Sequence, residues 1–166
     1  MKQNIFFEIE KKIVSNAHLA DKIKLWRSKK KKIIFTNGCF DLLHYGHVHY
    51  LCGARSLGDA LIVGVNSDAS VKKLKGELRP INDELSRCTM LAAFGFVDAV
   101  IVFEEDTPVQ LIEKIQPDVL VKGGDYTIET IVGADIVLKN GGSVKVIPFV
   151  EGFSSTKIVE AILKKA

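Results

Sequence analysis

The sequence lacks the short motifs of the commonest nucleotide-binding enzymes and hydrolases. It has no GxxxxGK[ST] P-loop, no GxGxxG fingerprint and no GxSxG nucleophile elbow. These absences leave a Walker-type kinase, a classical dinucleotide oxidoreductase and a serine hydrolase without support. No residue has the surroundings of a covalent nucleophile, so any transfer reaction would depend on positioning and on charge stabilisation.

Cysteine, long apolar runs and net charge are also scarce. The three cysteines form no CxxC pair and are odd in number, which favours reduced thiols and a cytoplasmic location. The apolar runs at 60–65 and 97–103 are shorter than the ~20 residues of a membrane span, and the N-terminus lacks a signal peptide's apolar core, so no membrane partner is expected.

A net charge of +3 is too small to steer the whole molecule toward a polyanion, and no aromatic residue interleaves with the lysines at 29–32. Nucleic acid is therefore not an expected partner.

What the sequence does contain is a regular alternation of strand and helix patterns. Its 166 residues, 47% of them hydrophobic, are typical of one globular domain of about 150 residues. Five strands are predicted at about 32–36, 60–66, 99–103, 118–121 and 143–148, and helices are predicted to begin near Gly46, Ser67, Asp83, Thr107, Ile128 and Ser154. This alternation predicts an α/β fold with a parallel sheet. We expect one domain over residues 29–166, preceded by a helical extension at 1–28 with an amphipathic stretch at 17–26.

The turn after the first predicted strand carries the strongest chemical signal. His44 and His47 lie three residues apart at a helix start, which places both imidazoles on one side of the helix, and Gly46 leaves room for a ligand to approach the backbone. The free N–H groups of the helix start and of the segment at 37–38 make an anion site. A phosphate is the expected occupant.

Two alternatives stay open for these histidines. Asp41, His49 and Cys52 lie close by in the sequence, which suggests zinc, although His49 would point to another side of the helix and no later Cys or His group completes a tetrahedral set. In the second alternative, the histidines only cap the helix.

Two further turns at strand ends carry groups suited to a nucleotide. Lys122 offers a charge beside the flexible glycines at 123–124, and Asp125 can either accept from ribose hydroxyls or cap the next helix. Three successive hydroxyl residues at 154–156 open the last helix, where they suit a polyphosphate or serve as an ordinary N-cap.

Two of these segments resemble the signatures of a known family. The segment 38–47 resembles the HxGH signature of the cytidylyltransferase-like nucleotidyltransferases, and the segment 152–158, about a hundred residues later, resembles their SSxT-type signature. The segments 74–80, 103–108 and 121–126 are similar to the adenylyltransferase half of the bifunctional heptose-phosphate kinase/adenylyltransferases, a resemblance that covers about residues 25 to 166. It implies a Rossmann-like, doubly wound sheet in the strand order 3-2-1-4-5, with the nucleotide between strands one and four.

The resemblance also implies a reaction. ATP and D-glycero-β-D-manno-heptose 1-phosphate would give ADP-heptose and pyrophosphate by direct in-line attack, toward lipopolysaccharide core or surface glycans. The implied partners are thus ATP and a sugar 1-phosphate, with Mg²⁺ as the cofactor that accompanies ATP and no metal ligand among the protein side chains. Phe149 stands where the cytidylyltransferases carry an arginine, which argues against CTP, and Phe153 replaces their usual isoleucine.

Other functions stay open alongside this one. A cytidylyltransferase acting on glycerol 3-phosphate or phosphoethanolamine would keep the same fold, and a nucleotide-binding sensor would not be an enzyme at all. The sequence also leaves open whether the chain forms a homo-oligomer and what the N-terminal helix does.

Carried over position by position, the resemblance assigns three groups of residues. The catalytic group, which stabilises charge at the α-phosphorus, is His44, His47 and Lys75. The nucleotide-binding group is Asn37, Gly38, Cys39, Phe40, His44, His47, Lys122, Gly123, Asp125, Tyr126, Ser154, Ser155 and Thr156. The acceptor-binding group is Asp41, Lys72, Lys75 and Arg79.

Overall fold

The computed structural model describes residues 4–124 and 126–165 and arranges them around one parallel sheet. The strands are β1 (Ile33–Gly38), β2 (Ala60–Asn66), β3 (Ala99–Phe103), β4 (Val119–Gly123) and β5 (Ser143–Ile147). They lie in the order β3-β2-β1-β4-β5, and each pair of neighbours is parallel. The predicted α/β fold and strand order are confirmed, and every strand begins and ends within two residues of its predicted bounds.

Eight α-helices flank the sheet within the described residues. They are α1 (Ile5–Glu10), α2 (Asn16–Ser28), α3 (Tyr45–Arg55), α4 (Asp68–Lys75), α5 (Glu84–Ala93), α6 (Val109–Ile115), α7 (Ala134–Lys139) and α8 (Ser155–Leu163). Where a helix was predicted to begin near Ile128 there is only a short 3-10 helix, Ile128–Thr130. Gly133 follows with a φ of 82°, a left-handed conformation that cannot continue a right-handed helix, so α7 begins after it. None of the described helices is long and apolar enough to cross a membrane.

The sheet separates two hydrophobic clusters because successive side chains of a strand point to opposite faces. Ile33 and Phe35 of β1 pack with Leu19 and Trp26 of α2 on one face. Ile34, between them in the sequence, packs on the other face with residues of α3 and α5. Helix α2 therefore contributes to the same core as the sheet.

The connectivity brings three turns to one edge of the sheet. All five strands are parallel, so their carboxyl ends share that edge, and the strand order reverses between β1 and its neighbour β4. Ligands of open α/β sheets bind in the crevice at such a reversal. The turns after β1, β4 and β5 are the ones that carry the predicted site residues.

Candidate active site

A cavity of about 230 Å³ opens at this edge of the sheet. Its walls come from three distant parts of the sequence, which are the first half of α3 with the preceding His44, the end of α4, and the segment from Phe149 to the first turn of α8. The lining residues are His44, Gly46, His47, Tyr50, Lys75, Phe149, Val150, Phe153, Ser154, Ser155 and Thr156. The structure thus brings the three predicted catalytic residues and the three predicted hydroxyl residues together.

The two histidines lie side by side in this cavity. Their ring centroids are 3.9 Å apart, and the ring planes are inclined by 33°. His44 occupies the N-cap position of α3 but makes no side-chain capping hydrogen bond, so the structure does not support the alternative in which it only caps the helix. The Nδ1 atoms of His44 and His47 are buried and have no hydrogen-bond partner among the described residues. Buried polar atoms are normally paired, so this arrangement suits a polar ligand.

Burial favours the neutral form of both imidazoles at neutral pH. Burial, together with smaller contributions from the neighbouring charges of His44 and Lys75, lowers the pKa of His47 to about 4. Burial also lowers the pKa of His44. A neutral imidazole carries one N–H donor and one acceptor nitrogen, and a bound phosphate would favour protonation of the pair by its negative charge.

The hydroxyl residues at the start of α8 have different roles. Ser154 Oγ accepts a hydrogen bond from the backbone N–H of Lys157 at 3.1 Å, as an N-cap residue does. Ser155 Oγ donates to the carbonyl oxygen of Leu42 at 3.1 Å and so ties α8 to the turn that precedes His44. Thr156 lines the cavity and is exposed. Phosphate binding by these three residues stays a prediction.

Asp41 anchors the loop between α4 and α5. Its side chain is buried, and its carboxylate accepts from the backbone N–H groups of Ile81 at 2.8 Å and Asn82 at 3.0 Å and from Nε of Arg79. Burial alone would raise the pKa of Asp41, but the hydrogen bonds from Asn82, Arg79 and Ile81 outweigh it and hold the pKa below its usual range. Both oxygens of the carboxylate are thus occupied by hydrogen bonds from this loop.

The other predicted acceptor residues differ in what they can offer. Arg79 Nη2 is buried and has no partner among the residues that the structure describes, so it can still pair with an anion. Lys75 lines the cavity. Lys72 is exposed on α4 and is not one of the lining residues.

The ends of β1 and β4 meet through a polar pair. The ammonium group of Lys122 donates to Asn37 Oδ1 at 2.9 Å. Burial lowers the pKa of Lys122, and the nearby Cys39 opposes that shift. Tyr126 is exposed and does not line the cavity, and Asp125 lies outside the described residues.

The turn after β1 holds Cys39 and Phe40 close to the histidines. Burial raises the pKa of the Cys39 thiol despite the nearby cations of Lys75 and Arg87. Phe40 adopts a φ of 49°, in the left-handed region that is rare for a bulky side chain, and its buried ring lies 5.5 Å from the ring of His47. Strained backbone of this kind is common at ligand sites.

Two supporting residues were not among the predicted site residues. The fully buried Arg87 of α5 donates to the carbonyl oxygen of Cys39 at 2.6 Å and to Asp68 Oδ1 at 2.8 Å. The hydroxyl of Tyr50 lies 2.5 Å from Thr36 Oγ1 and donates to the carbonyl oxygen of Val121 at 3.1 Å. The available signal for Arg87 was its place one helical turn before Leu91 on the apolar face of a predicted helix, where a charge needs buried partners.

The residues that suggested zinc do not converge. Within residues 4–124 and 126–165, no group of three or more His, Cys, Asp or Glu side chains is placed to hold a metal ion. Cys52 is exposed on α3, and the exposed His49 packs beside Tyr45 with a centroid separation of 6.2 Å. The described residues thus give the zinc alternative no support.

Comparison with known proteins relates this site to characterised families. Residues 35–161 match the family model described as cytidylyltransferase-like. The bifunctional protein HldE of Campylobacter jejuni subsp. doylei is 58% identical over 158 residues, which are 95% of this chain and 33% of that protein. The bifunctional protein HldE of Marinomonas sp. is 58% identical over 148 residues, which are 89% of this chain and 31% of that protein. The chain therefore spans about a third of the length of these curated relatives.

Two solved structures are also similar to this chain. The lipopolysaccharide core biosynthesis protein from Thermoplasma volcanium is 31% identical with a TM-score of 0.58, over 72% of this chain and 97% of that protein. The pantoate-beta-alanine ligase from Francisella tularensis has the same TM-score of 0.58 at 16% identity, over 90% of this chain and 76% of the ligase, and shows the likeness of fold alone. The family match spans both the histidine turn and the start of α8, so the resemblance is confirmed: the chain belongs to the cytidylyltransferase-like family of nucleotidyltransferases.

Proposed function

We propose that this nucleotidyltransferase transfers the adenylyl group of ATP to D-glycero-β-D-manno-heptose 1-phosphate, with ADP-heptose and pyrophosphate as products. The observation that carries the proposal is a pair of imidazole Nδ1 atoms that have no hydrogen-bond partner in the described part of the chain and lie in a cavity with Lys75 and the start of α8. The choice of substrates is supported by the relatives named bifunctional protein HldE and by the similarity of the segments 74–80 and 121–126 to the heptose adenylyltransferases.

In the proposed reaction, a phosphate oxygen of the acceptor attacks the α-phosphorus of ATP. The new phosphorus–oxygen bond forms as the bond from the α-phosphorus to the bridging oxygen breaks, and pyrophosphate leaves with that electron pair. No side chain forms a covalent bond. His44, His47 and Lys75 stabilise the charge that develops on the phosphate oxygens, as preorganised donors do in phosphoryl transfer.

The acceptor phosphate is proposed to bind between Lys75 and Arg79. Arg79 has a buried Nη2 without a partner in the described chain, and Asp41 holds its Nε and thereby orients the guanidinium group. A planar guanidinium group held in this way can still donate two hydrogen bonds to two oxygens of a phosphate. The loop that carries Arg79 is therefore ordered before the acceptor arrives.

The proposed cofactor is the Mg²⁺ ion that accompanies ATP. The lining residues are histidine, lysine, hydroxyl, aromatic and small side chains, with no carboxylate among those that the structure describes. This donor set suits phosphate oxygens rather than a resident divalent ion, so the ion is proposed to be held by the ATP phosphates and water. When bound, it neutralises charge on the departing pyrophosphate.

The test is pyrophosphate release by the wild-type chain with ATP, CTP, GTP and UTP, each against heptose 1-phosphate, glycerol 3-phosphate and phosphoethanolamine. The highest kcat/KM is expected for ATP with heptose 1-phosphate. Faster turnover of CTP with either of the other acceptors would contradict the proposed substrates. Tight ATP binding without pyrophosphate release for any acceptor would favour the nucleotide sensor.

A further inference from the structure

Phe149 lines the cavity but has no part in the transfer chemistry proposed above. It follows β5 directly after Pro148, and 67% of its surface is exposed. A phenylalanine ring left so exposed forgoes most of the free energy that burial would release. An exposed aromatic ring in the wall of a ligand-sized cavity suits a planar ligand group.

The distal end of the Phe149 ring is seated on the backbone of the turn after β4. A Cβ atom at Gly123 would lie 2.9 Å from Cε1 of Phe149, and a Cβ atom at Gly124 would lie 2.7 Å from Cε2. Both distances are shorter than real carbon contacts, so the ring can take this place only because both residues are glycine. Gly124 also has a φ of 115°, which L side chains rarely adopt. The ring position is thus set by the fold of two separate strand ends.

Phe153, the other phenylalanine of the cavity, is placed differently. Its ring packs beside the ring of Tyr45 with a centroid separation of 5.0 Å, and its Cβ atom would lie 3.3 Å from a Cβ atom at Gly46. Phe153 therefore already has an aromatic neighbour and a place against α3. Phe149 rests on glycine backbone and leaves most of its ring open.

We infer that Phe149 is the platform on which the base of the nucleotide stacks. The inference rests on the proposed function, since it adds a site for the base to a cavity whose histidines and α8 start are proposed to hold the phosphates. The ring offers a broad apolar surface and no hydrogen-bond donor or acceptor. Stacking on such a surface favours the larger purine over a pyrimidine, because the contact area decides the affinity.

The test measures binding of ATP and of inorganic tripolyphosphate by calorimetry, with the full chain and with Phe149→Ala. Loss of base stacking is expected to raise the Kd of ATP roughly ten- to hundredfold. The Kd of tripolyphosphate, which has no base, is expected to change by less than about twofold. Phe149→Trp keeps an aromatic surface and should retain ATP affinity.

A matched control is Phe6→Ala on α1, since Phe6 is a phenylalanine of comparable exposure outside the cavity. It should leave both dissociation constants unchanged. An unchanged Kd of ATP in Phe149→Ala would overturn the inference. An equal loss of ATP and tripolyphosphate affinity would also overturn it, because the side chain would then only support the phosphate site.

Failure of the inference is distinct from failure of the proposed function. If wild-type protein releases pyrophosphate from ATP while Phe149→Ala binds ATP as tightly, only the stacking role is wrong. If Phe149→Ala loses ATP selectively while wild-type protein releases no pyrophosphate with any acceptor, the stacking role stands and the proposed transfer reaction is wrong.

Discussion

The ends of β1 and β5 supply residues to one cavity but are held in place in different ways. The turn after β1 is held by buried polar contacts. The carboxylate of Asp41 is buried, and the buried guanidinium group of Arg87 donates to the carbonyl oxygen of Cys39. Helix α8, which follows β5, has no buried residue, and its Ile162 and Leu163 are 60% and 71% exposed. One wall of the cavity is therefore part of the core and the other lies on the surface.

This difference separates two demands on a transferase. Groups that stabilise a transition state must be held in place before the reaction, which the core side of the cavity provides for His44 and His47. Groups that receive and release a nucleotide can lie on elements with few buried contacts, which open at low free-energy cost. Substitutions near β1 should therefore alter stability and kcat strongly, whereas substitutions near α8 should have smaller effects, on KM or on the stability of that helix.

The largest effect is expected from Asp41→Asn. Removing the buried charge beside Arg79 weakens the bonds to the loop between α4 and α5 and is expected to lower the free energy of unfolding by about 3 kcal/mol. Urea unfolding with matched m-values measures the change. Asp106→Asn removes the exposed partner of Lys73 and should cost less than about 0.5 kcal/mol. Equal effects of the two substitutions would contradict the proposed role of Asp41 as an anchor.

His44→Ala and His47→Ala test the chemistry on the core side. Each is expected to lower kcat by at least about a hundredfold, because each removes a donor from the developing charge at phosphorus. Steady-state pyrophosphate release measures the effect. The exposed His49 of the same helix provides the control, and His49→Ala should keep kcat within about twofold. Near-normal turnover in both cavity variants would remove the histidines from the mechanism.

The pH dependence of stability tests the environment of His47. Burial lowers its pKa to about 4 in the folded chain, whereas an unfolded histidine titrates near its ordinary value of about 6.5. Between these values the unfolded chain binds the extra proton, so the stability from the neutral ring is complete above about pH 6.5 and is lost as the pH falls toward 4.

About 2 kcal/mol of unfolding free energy is expected to disappear over that range, once the remaining solvent access of the ring is allowed for. His47→Gln should reduce the loss, and substitution of the exposed His18 should leave it unchanged. Urea unfolding at pH 7, 6, 5 and 4 measures this loss of unfolding free energy in each protein. If the unfolding free energies of wild type and His47→Gln fall by the same amount between pH 7 and pH 4, the ring is not buried as a neutral group.

The contrast between the two walls also explains how far the sequence could predict the structure. The strands were predictable because apolar runs such as 60–66 are bounded by turn residues, and the parallel order followed from the family resemblance. His44, His47 and the segment 154–156 were predictable as neighbours in space because they follow strands that end at the same edge. These features depend on local pattern and on connectivity.

The role of Asp41 depended on contacts that the sequence does not encode locally. Its carboxylate binds Ile81 and Asn82, forty residues away, and only the packed structure shows that these bonds occupy it. The helix predicted near Ile128 fails for another reason, because the left-handed Gly133 interrupts a segment whose apolar spacing alone favours a helix. Tertiary hydrogen bonds and backbone conformation, rather than residue type, decide both cases.

The smallest effects are expected on the surface wall, from two adjacent serines with different bonds. Ser154→Ala removes the N-cap of α8 and is expected to cost about 1 kcal/mol of stability. Ser155→Ala removes the bond that ties α8 to the carbonyl oxygen of Leu42, and it is expected to raise the KM for ATP about fivefold while kcat stays nearly constant. Thermal unfolding and initial rates over a range of ATP concentrations separate the two outcomes. If Ser155→Ala lowers the melting temperature and leaves KM unchanged, the start of α8 is a structural cap and contributes nothing to nucleotide binding.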